Sequence, residues 1–298
     1  MNYRIVHTTR YRYAQPVLAS YNEAHLLPRS FTGQSVRAAS LAIDPPCQDY
    51  RDRQDFFGNT ASYFALLEAH QDVTITAVSE VQRQPARRQL SCGDGLNWQQ
   101  AAARLAQPGD PDTLDALQFC LDSPLVQAAA ELADYARPSF APGRPLVQAA
   151  AELMARIHRE FAYDPTATDV STPPQEVLRK RRGVCQDFAH LAIGCLRSLG
   201  LAARYVSGYL ETLPPPGQPK LTGADASHAW VQVYLPGAGW QDWDPTNDLQ
   251  PAERHVVTAW GRDYSDVAPL KGIFYGGGDT HTIEVQVDGT ALPEPLET

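Results

Sequence analysis

The hydrophobic positions of this chain follow one rhythm to about residue 85, a second to about residue 200, and the first again beyond it. At the start, Tyr3-Arg4-Ile5-Val6-His7 and Arg10-Tyr11-Arg12-Tyr13 are aromatic and β-branched with a rough two-residue alternation, the pattern of half-buried strands. Residues 38–43 continue it and stop at Asp44-Pro45-Pro46. Asp55-Phe56-Phe57-Gly58-Asn59 is a turn signal, and strand-type residues 60–67 and 73–79 follow. Short strands broken by Gly, Pro and Asn predict a β-sandwich-like domain over residues 1–85.

From residue 86 alanine and leucine replace the β-branched residues. Helices are predicted over 97–107, over 113–121 and in two longer runs within a connecting segment, 86–145, and the start of the next domain. The two runs share a string: Pro124-Leu125-Val126-Gln127-Ala128-Ala129-Ala130-Glu131-Leu132 recurs at residues 145–153. Proline at a first helical position explains both starts, so an antiparallel helix pair is expected.

Residues 146–298 are expected to form the second domain. Thr172 is the expected N-cap of a helix that Gly183 stops. Past Gly183, residues Phe188, Leu191, Ala192, Cys195, Leu196 and Leu199 recur on one helical face, and Gly200 ends it. Cys195 on that stripe reads as packing. Strands are expected over 203–210, 229–235, 240–244 and 282–288, with a proline-rich loop at 213–219 and a frayed tail at 293–295.

Composition narrows the function classes. Hydrophobic residues are 43% and charged residues 20%, as in a soluble globular protein. A net charge of −9 argues against nucleic acid as partner, and the short run Arg179-Lys180-Arg181-Arg182 reads as a solvated helix end. No stretch has the length of a membrane span, and residues 1–7 lack the apolar core of a signal peptide, so a cytoplasmic protein is expected. Five cysteines (Cys47, Cys92, Cys120, Cys185, Cys195) without a CxxC pair fit free thiols. No metal is expected: Cys185, His190 and Cys195 are spaced by five, which spreads ligands around a helix. No cofactor is expected either, since Gly276-Gly277-Gly278 precedes a strand and is not a phosphate loop. His25 and His70 read as structural.

The chemistry gathers at Arg182-Gly183-Val184-Cys185-Gln186-Asp187-Phe188-Ala189-His190, Ser227-His228-Ala229-Trp230 and Trp243-Asp244-Pro245-Thr246. Cys185 opens a helix, where the positive end of the helix dipole stabilises an anion and free backbone N–H groups can meet an oxyanion. His228 is the candidate base. If the hairpin turns on Leu235-Pro236-Gly237, Tyr234 pairs with Ala238, and by extension His228 lies directly opposite Asp244 on one face. Ala229, Val231, Val233 and Leu235 then share the other face, toward the core. Asp242 lies on the same face as Asp244 and is the competing carboxylate.

Taken together, residues 183–189, Leu199-Gly200-Leu201-Ala202-Ala203-Arg204-Tyr205, His228-Ala229-Trp230-Val231 and Gly239-Trp240 through Asp244-Pro245-Thr246-Asn247 resemble the bacterial transglutaminase-like superfamily. Residues 1–85 look like the β domain of one branch, and Gly261-Arg262-Asp263-Tyr264-Ser265 resembles that branch's C-terminal segment. The resemblance implies an α+β protein with a papain-like core: a helix carrying the cysteine, packed on an antiparallel sheet. It implies Cys185 as nucleophile, His228 as base, Asp244 as orienting residue and Tyr163 as an oxyanion candidate. Gln186, Asp187, Arg262 and Asp263 are further oxyanion or substrate candidates. The implied activity is cleavage or transfer of amide bonds in a peptide or protein, with hydrolysis expected over transamidation. A catalytically silent peptide-binding module is the rival, told apart by whether Cys185 meets His228.

Overall fold

The computed structural model describes residues 1–84, 95–211 and 226–292, so Cys92, the loop 213–219 and the tail 293–295 lie outside the described residues. The N-terminal strands are β1 (Asn2–Ala24), β2 (Gln34–Asp44), β3 (Asp49–Gln54), β4 (Thr60–Leu66) and β5 (His70–Arg83), in the order β2-β5-β1-β4-β3. At 23 residues, β1 serves two neighbourhoods. Asn2 to Arg12 pair with β5 and Ser20 to Ala24 with β4, and the register breaks between Arg12 and Val17. Tyr13, Val17, Phe64, Leu66, Val73 and Ile75 meet in one apolar cluster that joins both halves.

Helices α1 (Trp98–Ala106), α2 (Pro111–Leu117), α3 (Ala130–Ala136) and α4 (Leu146–Glu160) follow. The expected helix pair forms only in part. In the second copy of the repeated string, Leu146 onward is helix; in the first, the helix begins only at Ala130. Other acceptors hold N–H groups that a helix over the first copy would need: Ala128 N–H donates to Asp122 (2.8 Å) and Ala129 N–H to the Ser198 hydroxyl (3.0 Å), while Leu125 N–H, which a helix starting there leaves free, donates to Asp263 (2.7 Å). Propensity is a weak prior against such bonds.

The chain continues through β6 (Ala162–Tyr163), α5 (Pro174–Lys180), β7 (Arg182–Gly183), α6 (Cys185–Arg197), β8 (Ala203–Leu210), β9 (Ala226–Leu235), β10 (Gly239–Trp243), β11 (His255–Gly261), α7 (Tyr264–Val267), β12 (Leu270–Gly276) and β13 (His281–Leu292). Pro173 takes the N-cap position of α5, not Thr172, and the helix ends at Arg181 with φ 55, before Gly183. Strands β10-β9-β8-β11 form an antiparallel sheet. On it lies α6, whose Phe188, Leu191, Ala192, Cys195 and Leu196 share a core with Ala229, Val231, Val233 and Leu235. Burial reaches past that stripe: every residue of α6 from Asp187 to Arg197 is buried. Arg197 is accommodated by donating to the carbonyls of Phe119, Ala203 and Arg262 and to the Ser123 hydroxyl.

Strands β12 and β13 depart from the expected boundary of 146–298. They pair with β1, so the end of the described chain returns to the N-terminal sheet. The alternation at 282–288 marks a strand but carries no address for its partner. No helix among the described residues is long and apolar enough to cross a membrane.

Where the N-terminal domain meets β11, side chains replace a missing strand. β11 is an edge of its sheet. The Gln34 amide donates to Val257 C=O (2.7 Å) and accepts from Val257 N–H (2.9 Å). The Asn59 amide does the same at Trp260, at 2.9 and 3.0 Å. Both amides are buried. Asn59→Leu leaves the Trp260 backbone groups unpaired, and is expected to lower unfolding free energy by about 2–4 kcal/mol for two buried groups, read from urea melts.

Candidate active site

Cys185 is the first residue of α6, half-buried at the mouth of the core. Two features of the sequence put it there. Asp187 turns back to accept the Val184 N–H at 2.7 Å, which closes the helix start. Gly183 makes room for that turn: a Cβ there would lie 2.6 Å from the Asp187 carboxylate. The short parallel pair β6–β7 brings Tyr163 alongside Gly183, with its ring 6.5 Å from that of Phe188. Tyr163 is exposed as a residue, but partial desolvation of its hydroxyl, then the nearby Cys185 and Asp187, push its pKa up.

His228 comes from β9, on the face opposite Ala229 and Val231. Across from it in β8 is Gly208. Any Cβ at Gly208 would meet Val256 O at 2.1 Å and the Trp230 ring at 2.6 Å. This glycine therefore lets β11 and Trp230 close in behind the histidine. Trp230 lies against His228 with 28° between ring planes, and its indole N–H donates to Asp242 at 2.7 Å.

The hairpin differs in detail from the expected one. Its turn spans Leu235 to Ala238, closed by Ala238 N–H to Leu235 O at 2.8 Å. Pro236 and Gly237 (φ 87) take the two central positions that a type II turn reserves for proline and glycine. Leu235 thus pairs with Gly239, and Tyr234 with Trp240. Each pair moves by two residues, so faces are preserved. Asp244 falls past the end of the ladder, diagonal to His228 and not directly opposite it.

It reaches His228 all the same. His228 Nε2 lies 2.7 Å from Asp244 Oδ2, with both side chains buried. Nε2 being taken, Nδ1 is the nitrogen left for the cysteine. Burial opposes a charge on His228, but its hydrogen bonds to Asp244 and to Cys185 outweigh that, and its pKa is raised to about 9. Burial likewise opposes the charge on Asp244, yet bonds from His228, His255 and Asn247 hold its carboxyl well below the usual range. Its other oxygen, Oδ1, accepts the backbone N–H of Thr246 (2.9 Å) and Asn247 (3.2 Å).

Cys185, His228 and Asp244 are therefore assembled, with Tyr163 beside them. The other candidates are engaged elsewhere. Gln186 donates its amide to Val170 O (3.1 Å). Asp187 also accepts from the Thr168 hydroxyl (2.6 Å) and is buried. Arg262 is paired with Asp266 at 2.9 Å, and buried Asp263 accepts from Leu125 and Ser265. Asp242, the rival carboxylate, bonds Trp230 and Gln232. His25, read as structural, lies with Nε2 3.5 Å from Asp55 and Nδ1 3.3 Å from Ala268 O.

Sequence reading missed His255. Its Nε2 lies 3.3 Å from the same Asp244 Oδ2. Its only sequence signal is a histidine opening an otherwise apolar strand. The donor atoms of His228, Asp244 and His255 lie within 4.8 Å of one another, a set that a metal ion can use. The geometry favours hydrogen bonds: ligands on one tetrahedral zinc stand about 3.3 Å apart, whereas His228 and Asp244 are at 2.7 Å and the Asn247 amide also donates to that oxygen at 2.7 Å.

Comparison with known proteins agrees with this architecture. Residues 3–82 match the bacterial transglutaminase-like N-terminal region, and residues 133–245, which contain Cys185, His228 and Asp244, match the transglutaminase-like superfamily. An uncharacterized Mycobacterium tuberculosis protein is 43% identical over 291 residues, covering 96% of this chain and 91% of its own length. A protein-glutamine gamma-glutamyltransferase of Pseudomonas aeruginosa is 35% identical over 127 residues, 40% of this chain and 19% of that protein. The crystal structure of a proposed cysteine protease from Cytophaga hutchinsonii superposes with a TM-score of 0.76 at 21% identity, covering 99% of this chain and 92% of that one. That last likeness is one of fold.

Proposed function

Since the chain belongs to the transglutaminase-like superfamily, we propose that it cleaves amide bonds of peptides or proteins through a thioester on Cys185. One observation carries this reading: Cys185 opens a buried helix facing His228, whose far nitrogen is held by Asp244 at 2.7 Å. In the proposed reaction the charged His228 ring stabilises a thiolate, which attacks the carbonyl carbon. The backbone N–H groups at the start of α6, with the Tyr163 hydroxyl, receive the oxyanion. His228 gives its proton to the leaving amine as the C–N bond breaks. Water then attacks the thioester, His228 takes its proton, and the acid and the thiolate are released.

Water and an amine compete for the same thioester, and water is the proposed acceptor. A panel of peptide and isopeptide amides, incubated with a fluorescent primary amine, tests this. Release of free acid without amine incorporation is expected; incorporation outpacing hydrolysis would assign the transferase reaction instead.

The raised pKa of His228 sets an alkaline limit. Turnover is expected to hold through neutral pH and to fall as pH rises through about 9, where the ring loses its proton. The same group contributes stability that is complete below the ordinary imidazole value of about 6.5 and is lost as pH rises through about 9. A pH–rate profile with parallel thermal melts reads both.

A further inference from the structure

We propose that His255 is a positioning residue for the triad, sharing the Asp244 carboxylate with His228 and weakening that carboxylate's hold on the His228 proton. The inference rests on the triad reading above.

Asp244 Oδ2 receives three side-chain donors: His228 Nε2 and Asn247 Nδ2 at 2.7 Å, and His255 Nε2 at 3.3 Å. For both rings to bond that oxygen, both must carry hydrogen on Nε2. Donors converging on one anionic oxygen draw on the same electron density, so each weakens the others' bonds. The N–H dipole of His255 also sets its positive end at the shared oxygen, beside the His228 proton, which disfavours a proton there. His255 thus limits how tightly Asp244 binds the imidazolium that must later release its proton to the leaving group.

The surroundings hold His255 to this task. It opens β11, and Trp230 packs edge-on against its ring at 5.2 Å and 81° while lying nearly parallel to His228. Two residues along, Val257 is gripped by the Gln34 amide from the N-terminal domain. The titratable groups acting on His255 are Asp244 from the loop after β10, His228 from β9 and Asp242 from β10. Burial outweighs the two carboxylates and lowers its pKa, so at neutral pH the ring is a neutral donor.

The test is a histidine-ring NMR titration of the 15N-labelled protein, with His228 assigned by its loss in His228→Ala. Wild type is compared with His255→Phe, which removes the donor, and His255→Gln, which supplies an amide N–H in its place. In His255→Phe the His228 midpoint is expected to rise by about 0.5 pH or more, as loss of a competing donor implies. Turnover is expected to fall about 10- to 100-fold, the scale of a lost bond to a charged group. His255→Gln should return both toward wild type. A His228 midpoint that is unchanged or lowered in His255→Phe overturns the proposal, because a merely structural role loosens the Asp244 contact and moves the midpoint down. If His255→Phe fails to fold, His255→Gln decides: a folded variant whose His228 midpoint falls toward that of a free imidazole overturns it equally. Failure of the triad reading has a separate sign, turnover that survives Cys185→Ala, and leaves the titration interpretable.

Discussion

Replacing Cys185 with alanine is expected to abolish amide turnover, by about 10⁴-fold or more, with the fold unchanged. The size follows from the division of labour. Without the sulfur no thioester forms, and His228 is left to activate water directly. What survives is whatever the backbone donors at the α6 N-terminus do for an amide attacked by water. Alanine is well tolerated at a helix start whose closure comes from the neighbouring Asp187, which accepts the Val184 N–H. The check is kcat/KM on the best substrate from the peptide and isopeptide panel, with thermal melts matching wild type. Retained turnover would remove Cys185 from the chemistry.

Asp244→Asn is expected to cost nearly as much, about 10³- to 10⁴-fold in kcat, by the wrong-tautomer route known for triads. Local geometry makes the direction of failure specific. Two backbone N–H groups, of Thr246 and Asn247, already claim one oxygen of Asp244. An asparagine would be drawn to put its carbonyl there, turning its NH2 toward His228, His255 and Asn247, all of which are donors. His228 can accept from that NH2 only as a neutral ring with its one proton on Nδ1, which leaves no site for the Cys185 proton and no charge to sustain the thiolate. The kcat of the variant and its His228 ring shifts test the two halves together: a large loss with His228 neutral at pH 7 and protonated at Nδ1 alone is expected. Near-normal kcat would show that Asp244 does not orient the base.

How much of this was legible in the sequence depended on whether a signal was local. The helix start at Cys185, the strand at 203–210 and the common face of His228 and Asp244 depend on neighbours in the chain, and they were readable. The hairpin shows the margin. Pro236-Gly237 states its own turn type, and placing them at the central positions corrects the register by two residues, a step that leaves the face intact. Long-range terms were not readable. The repeated nine-residue string is helix from its second residue in one copy and not in the other, because Asp122 and Ser198, the latter 69 residues away from Ala129, take N–H groups of the first copy only. β13 alternates as any strand does, and nothing in it says that its partner is β1 at the other end of the chain. His255 escaped notice for the same reason, since its significance lies in an oxygen contributed by a loop it meets only in the folded protein. Arg262 and Asp263, substrate candidates by sequence, bond to Asp266, Ser265 and the backbone of Leu125, the last a partner that only the fold brings to them.

The central claim is that His228 holds a proton beside Cys185 at neutral and mildly acidic pH. The most direct measurement is the rate of Cys185 alkylation by iodoacetamide at pH 6, followed on its own peptide by mass spectrometry, in wild type and in His228→Ala. The wild-type rate is expected to be at least about tenfold above the variant's, because only the thiolate reacts and the charged ring sustains it. Equal rates would mean that the two side chains do not form the pair on which the proposed chemistry depends.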